Sequence, residues 1–146
     1  MIKLKDLLKE DIQPIDKQIY DLLSDWIISS LSDTRERQEI GKKLQALDIP
    51  NEYKQVPSDT LLRVGKPAND QKYISYSYDY RGLKKMISWM KKIFNRDIQD
   101  SDIIEVPINQ VNVLICIPAF FKKTKLSSGR RFDALWKSEY EVIAIK

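Results

Sequence analysis

The hydrophobic period of this chain changes near residue 50, and that change restricts the fold more than any other feature. Between residues 15 and 31, Ile15, Ile19, Leu22, Leu23, Trp26, Ile27 and Leu31 recur at three- and four-residue steps. This spacing predicts an amphipathic helix with Pro14 in its first turn. A second helix is predicted after Ser32, capped by Ser32 or Asp33, with Ile40, Leu44 and Leu47 inward and an end before Pro50. Residues 51–59 are polar, contain Pro57 and read as a connection. Beyond them the period falls to two. Segments 60–64, 73–78, 103–108, 111–120 and 139–145 are rich in β-branched and aromatic residues and are predicted strands. Between the second and third lies RGLKKMISWMKKIF (81–94), a predicted helix with Leu83, Met86, Ile87, Met90 and Ile93 or Phe94 inward and a basic outer face. Helices first and a mainly β unit afterwards predict an α+β chain, with no repeated βαβ unit. The expected organisation is a single domain, 1–146, with a helical part at 1–50 and a β core at 51–146.

Composition bears on which chemistry such a core can carry. The chain has 146 residues, 42% of them hydrophobic, enough to bury a core without disulfides. Its one cysteine, Cys116, lies in the apolar run VNVLICIP and reads as a small buried thiol in a reducing compartment. There is no histidine, which excludes Ser-His-Asp and Cys-His nucleophile systems and HExxH zinc sites. The four glycines are too scattered for a GxGxxG or Walker A loop. No apolar run approaches the roughly 18 residues of a membrane helix, and the start, MIKLKDLLKEDI, is studded with charges. The expectation is a soluble cytoplasmic protein with no membrane or metal partner.

Lys and Arg number 25 against 21 Asp and Glu, and the surplus falls after residue 50. A positive surface there would attract an anionic ligand, a dinucleotide or a nucleic acid, although scattered solubilising lysines account for the charge equally well.

Three polar features interrupt the strand pattern. Arg63 stands inside the otherwise apolar TLLRV. Ser75 and Ser77, in YISYSYD, are two apart, so both hydroxyls share one face while Ile74 and Tyr76 take the other. Glu139 and Glu141, in SEYEVIAIK, are likewise two apart and are expected on one face, flanking Tyr140. Each alone is compatible with the wet side of a strand or a snorkelling arginine. In this order, an arginine on a first strand, Ser-x-Ser on a second, a helix, and Glu-x-Glu followed by Val142 and Ile143 resemble the R-S-E class of mono-ADP-ribosyltransferases. That class includes clostridial-type toxins, vertebrate ecto-enzymes and bacteriophage transferases that modify host proteins. The resemblance covers roughly residues 53–146.

The resemblance implies a mainly antiparallel, β-sandwich-like ADP-ribosyltransferase core with one inserted helix. It implies transfer of ADP-ribose from NAD to a protein side chain, arginine above all, with release of nicotinamide. Positive charge then develops on the ribose, as in glycoside hydrolysis, and a carboxylate beside the sugar stabilises it. By the resemblance that carboxylate is Glu141, with Ser75 orienting it and Glu139 positioning the acceptor, whose guanidinium a carboxylate can grip bidentately. Arg63 would hold the NAD diphosphate. The backbone of Val64 would meet the nicotinamide amide, Ser77 would support the strand, and Tyr78, Tyr80 and Arg81 would stack on or cover the dinucleotide. Phe132 and Trp136, in LSSGRRFDALWK, fall where the family carries a target-recognition turn; core packing is the equal alternative for both. The implied partner is a target protein, with host transcription or translation machinery as one class, and a phage or effector origin is the family analogy. The absence of histidine separates this chain from the His-Tyr-Glu branch resembling diphtheria toxin. It departs from the R-S-E pattern in having Val64 directly after Arg63, with Gly65 one place late, and in stopping soon after Glu141.

Two other functions are compatible with the same residues. An NAD glycohydrolase would use the same site with water as acceptor. A non-enzymatic nucleic-acid or nucleoprotein binding module would use Lys84, Lys85, Lys91, Lys92, Arg96, the lysines at 122–125, Arg130 and Arg131, with tyrosines for stacking.

Overall fold

A computed structural model describes residues 13–29, 34–126 and 139–145. The chain divides into two compact units, Met1–Asp48 and Ile49–Lys146, close to the boundary expected from the change of period. Among the described residues there are four α-helices and one five-stranded antiparallel sheet, a mixed α+β chain.

The first unit is a helix pair, α1 (Pro14–Ser29) and α2 (Thr34–Ala46). Helix α1 buries Ile19, Leu23 and Trp26, the one-face spacing the sequence predicts, and α2 buries Ile40 and Leu44. Arg37 of α2 joins the pair: its guanidinium lies 4.4 Å from the centre of the Trp26 ring and donates to the Trp26 carbonyl at 3.4 Å. Leu31, expected as the last inward residue of the first helix, and Ser32 and Asp33, expected to cap the second, lie outside the described residues.

The second unit opens with a short 3-10 turn, Asn51–Lys54. Its Tyr53 is buried edge-on against Phe120, with ring centroids 5.2 Å apart, so the polar connection read from sequence carries an anchor. Then follow β1 (Thr60–Val64), β2 (Tyr73–Ser77), α3 (Tyr80–Phe94), β3 (Ile103–Pro107), β4 (Asn112–Cys116), α4 (Ile117–Thr124) and β5 (Glu141–Ile145). The strands lie in the order β3-β1-β2-β5-β4, every neighbouring pair antiparallel. They form one sheet, and β5 sits between β2 and β4, which brings the end of the sequence beside its Ser-x-Ser strand.

Three expectations about these elements need correction. The run 111–120, expected as one strand, is strand only to Cys116 and then turns into α4. Pro118, at the start of that helix, has no N–H to give a ladder and a φ already suited to a first helical turn. A second helix therefore accompanies the one expected insertion. The last strand begins at Glu141 rather than Glu139, because Tyr140 adopts φ 51° and ends the alternation. Helix α3 forms as expected, yet of its apolar positions only Leu83 is fully buried, while Met86, Ile93 and Phe94 are exposed. Its 15 residues span about 22 Å. It packs on β1 and β2, with Gly82 and Leu83 buried in its first turn and residues 91–94 of its last turn exposed.

Register explains the core. On β2 and β5, Ile74 pairs with Ala144 and Tyr76 with Val142. Together with Leu61 and Cys116 these residues form one buried apolar cluster on one face of the sheet. Burial pushes the Cys116 thiol up to about 11, against the lowering effects of the Ala119 N–H and Lys122, so it stays an inert thiol at neutral pH. No helix among the described residues is long and apolar enough to cross a membrane.

Candidate functional site

The opposite face of the same strands carries the polar residues. Ser77 pairs with Glu141, and Ser75 with Ile143, so both serines and Glu141 stand on one face beside Leu62, Ile115 and Ile143. From this arrangement Ser75 reaches diagonally across the strand pair, and its hydroxyl donates to Glu141 Oε2. Glu141 is only 7% exposed. A carboxylate this buried needs hydrogen-bond donors, and the Ser75 hydroxyl is one.

Ser77 has a different task. Its Oγ lies 2.8 Å from the Asp79 carbonyl oxygen and 2.9 Å from that of Glu139. One hydroxyl proton thus serves two carbonyls and ties the exit of β2 to the entrance of β5. The Tyr78 N–H donates to the Tyr140 carbonyl at 3.0 Å and closes the same corner. Gly82 completes it. A Cβ at this position would run into the Glu139 carbonyl and lie 2.7 Å from Ser77 Oγ, so only glycine lets the first turn of α3 come this close. Neither Gly82 nor the left-handed Tyr140 is among the expected site residues. A glycine inside a strongly periodic helical stretch is a readable sign of close backbone approach. A tyrosine at positive φ leaves no such sign.

Asp79 caps α3, accepting from the Arg81 N–H at 2.8 Å, and receives the Arg81 side chain as a fork at 3.1 and 2.8 Å. The Arg81 side-chain hydrogen bonds hold the Asp79 carboxyl below its ordinary value and, reciprocally, raise the guanidinium. Arg81 also lies 5.0 Å over the Tyr140 ring, which meets Tyr78 edge-on at 5.4 Å. Burial, reinforced by Cys116, Tyr140 and Asp79, pushes the Tyr78 hydroxyl up to about 12, so it stays protonated and able to donate. Arg81, Tyr140 and Tyr78 therefore form a cationic aromatic group at this corner, with Tyr78 packed against the apolar cluster and not on the face of Glu141.

The expected site residues are brought together in part. Ser75, Ser77 and Glu141 meet on one face. Arg63 does not join them there: Leu62 pairs with Ser77, so Arg63, next along β1, leaves from the opposite face beside Tyr76. Its Nε donates to the Gly65 carbonyl at 3.1 Å, and a terminal nitrogen donates to the Ser75 carbonyl at 3.2 Å. Val64 is the last residue of β1, followed by Gly65 at φ 77°. The main chain of Glu139 is held by Ser77, but the expectation that strand alternation sets its side chain on the face of Glu141 fails at Tyr140. Phe132, Trp136, Arg130 and Arg131 lie outside the described residues. Among the described residues no cluster of His, Cys, Asp or Glu could hold a metal ion.

Comparison with protein-family models, with curated proteins and with solved structures finds no match to the chain.

Proposed function

We propose that the chain is an NAD-dependent mono-ADP-ribosyltransferase with arginine as its preferred acceptor. The observation that carries this reading is the Ser75 hydroxyl bound to the Glu141 carboxylate across the β2–β5 pairing. A carboxylate oriented by a hydroxyl and shielded from bulk water is suited to the ribose of a dinucleotide, where it accepts from sugar hydroxyls and opposes developing positive charge. NAD supplies a glycosidic bond to an already cationic leaving group, so no histidine is required as general acid.

In this reading Glu141 stabilises the sugar as the bond to nicotinamide breaks, and Ser75 keeps the carboxylate aimed. The resemblance assigns to Glu139 the proton that the incoming guanidinium nitrogen releases as it bonds to the ribose carbon, and the Ser77 hydrogen bond holds the Glu139 main chain at the entrance of β5. Arg63, engaged with the Gly65 and Ser75 carbonyls, acts as a positioning residue that braces β2 beneath Ser75. The diphosphate role passes to Arg81, whose side chain is 74% exposed and would exchange its fork on Asp79 for the diphosphate, and whose ring partner Tyr140 precedes Glu141 in the chain.

Incubation with labelled NAD and a bacterial lysate, beside folded Glu141→Gln, tests the proposal by reading released nicotinamide and label on protein. The expected result is label with the intact chain and a loss of about a thousandfold in turnover for Glu141→Gln. Nicotinamide release without label makes the chain a glycohydrolase. Undiminished turnover in Glu141→Gln overturns the reading.

A further inference from the structure

The C-terminal half of α3 takes no part in the proposed site, and its surface is unusual. Residues 91–94, its last turn, are all exposed whichever side they occupy, and so are residues 95–97 after it. Ile93 and Phe94 are each 58% exposed and Met86 36%. Trp89 stands edge-on to Phe94 with centroids 5.5 Å apart. At about 100° per residue the four side chains form an apolar ridge, which continues the side of the helix that buries Leu83 nearer its start. All 15 residues of α3, YRGLKKMISWMKKIF, include no acid. At 100° per residue, Lys84 and Lys91 run along one border of the ridge and Lys85 and Lys92 along the other. Beyond the far end of the helix, Asp97 pairs with Lys91 at 3.3 Å on the surface.

We infer that this ridge is a docking surface for an anionic lipid bilayer. Exposed hydrocarbon and flanking ammonium groups call for an occupant that is both apolar and negative. Nucleic acid would satisfy the lysines and find rings in Phe94 and Trp89, but it would leave the aliphatic Ile93 and Met86 in water. A bilayer carrying anionic headgroups supplies a plane of negative charge with hydrocarbon a few ångströms beneath it. Phe94, Ile93 and Met86 would lie at that boundary while the lysine stems reach outward on both sides. The helix lies on such a surface rather than crossing it. Binding of this kind would hold the enzyme at a membrane face and restrict the targets it meets.

Co-sedimentation of the full chain with phosphatidylcholine vesicles, with and without phosphatidylglycerol, tests the inference. Its readout is independent of any activity. Binding is expected only to the anionic vesicles and should weaken with added salt. Changing Lys91→Gln together with Lys92→Gln should lower partitioning by about 30-fold. Phe94→Ser should lower it by about tenfold. Both changes are on exposed positions, so the fold is expected to persist and circular dichroism checks it. Failure to bind anionic vesicles overturns the inference. So does binding that Phe94→Ser leaves unchanged and RNA reproduces, which would make the helix a general polyanion surface. Self-association that Phe94→Ser abolishes also overturns it, since a second copy would then be the occupant.

Discussion

Strands β2 and β5 present two surfaces that alternate residue by residue yet obey different rules. On one face Ile74, Tyr76, Val142 and Ala144 join a hydrocarbon cluster in which any shape of about the right volume contributes. On the other, Ser75, Ser77 and Glu141 are half-buried or buried polar groups whose stability depends on particular partners. The apolar face specifies register, and register then fixes the polar face. A slip of one residue would move Glu141 into hydrocarbon and Val142 out of it, which is why the carboxylate can be held reliably beside Ser75.

Substitutions on the two faces should therefore differ in kind as well as in size. Ile74→Ala should cost about 2–5 kcal/mol in denaturant unfolding, from lost burial and the cavity left behind. Nicotinamide release per folded molecule should stay near the wild-type value. Matching losses of stability and specific activity would show that the two faces are not separable. Ser75→Ala should cost less, about 1.5–3 kcal/mol, since it removes one hydrogen bond to a buried carboxylate. Its effect on turnover should exceed that of Ile74→Ala, and a silent Ser75→Ala would reduce the serine to strand packing. The smallest effect belongs to the surface pair at the corner. The native Asp79 carboxyl titrates below its ordinary 3.8, so its contribution is fully present above that value and is lost as pH falls through the native pKa. Melting curves of wild type and Asp79→Asn should therefore differ slightly near neutrality and converge in acid. A gap that persists in acid would assign the difference to something other than the Arg81 pair.

Much of this architecture is legible in the amino-acid sequence. The helix pair, β1, the opposite faces of Ser75 and Ile74, and the buried thiol all follow from local periodicity. The departures share a cause: they occur where backbone conformation leaves the local pattern. VNVLICIPAFF is apolar throughout, and a run without alternation does not say where strand ends and helix begins; Pro118 is its one clue. Glu-x-Glu suggests one continuous strand because nothing in Tyr140 announces a positive φ. The amphipathic pattern of α3 identifies a helix correctly but does not say how much of its apolar side the sheet will cover.

The order of elements, the exclusion of histidine chemistry and the two faces of each strand are written in the chain itself, because period and composition are local properties. Other features arise only when distant segments pair: β5 enters between β2 and β4, Ser75 meets Glu141 across 66 positions of chain, and Arg63 turns to the other face. Strand pairing of this kind is set by how all the apolar faces can be buried at once, a condition that no single stretch of sequence contains.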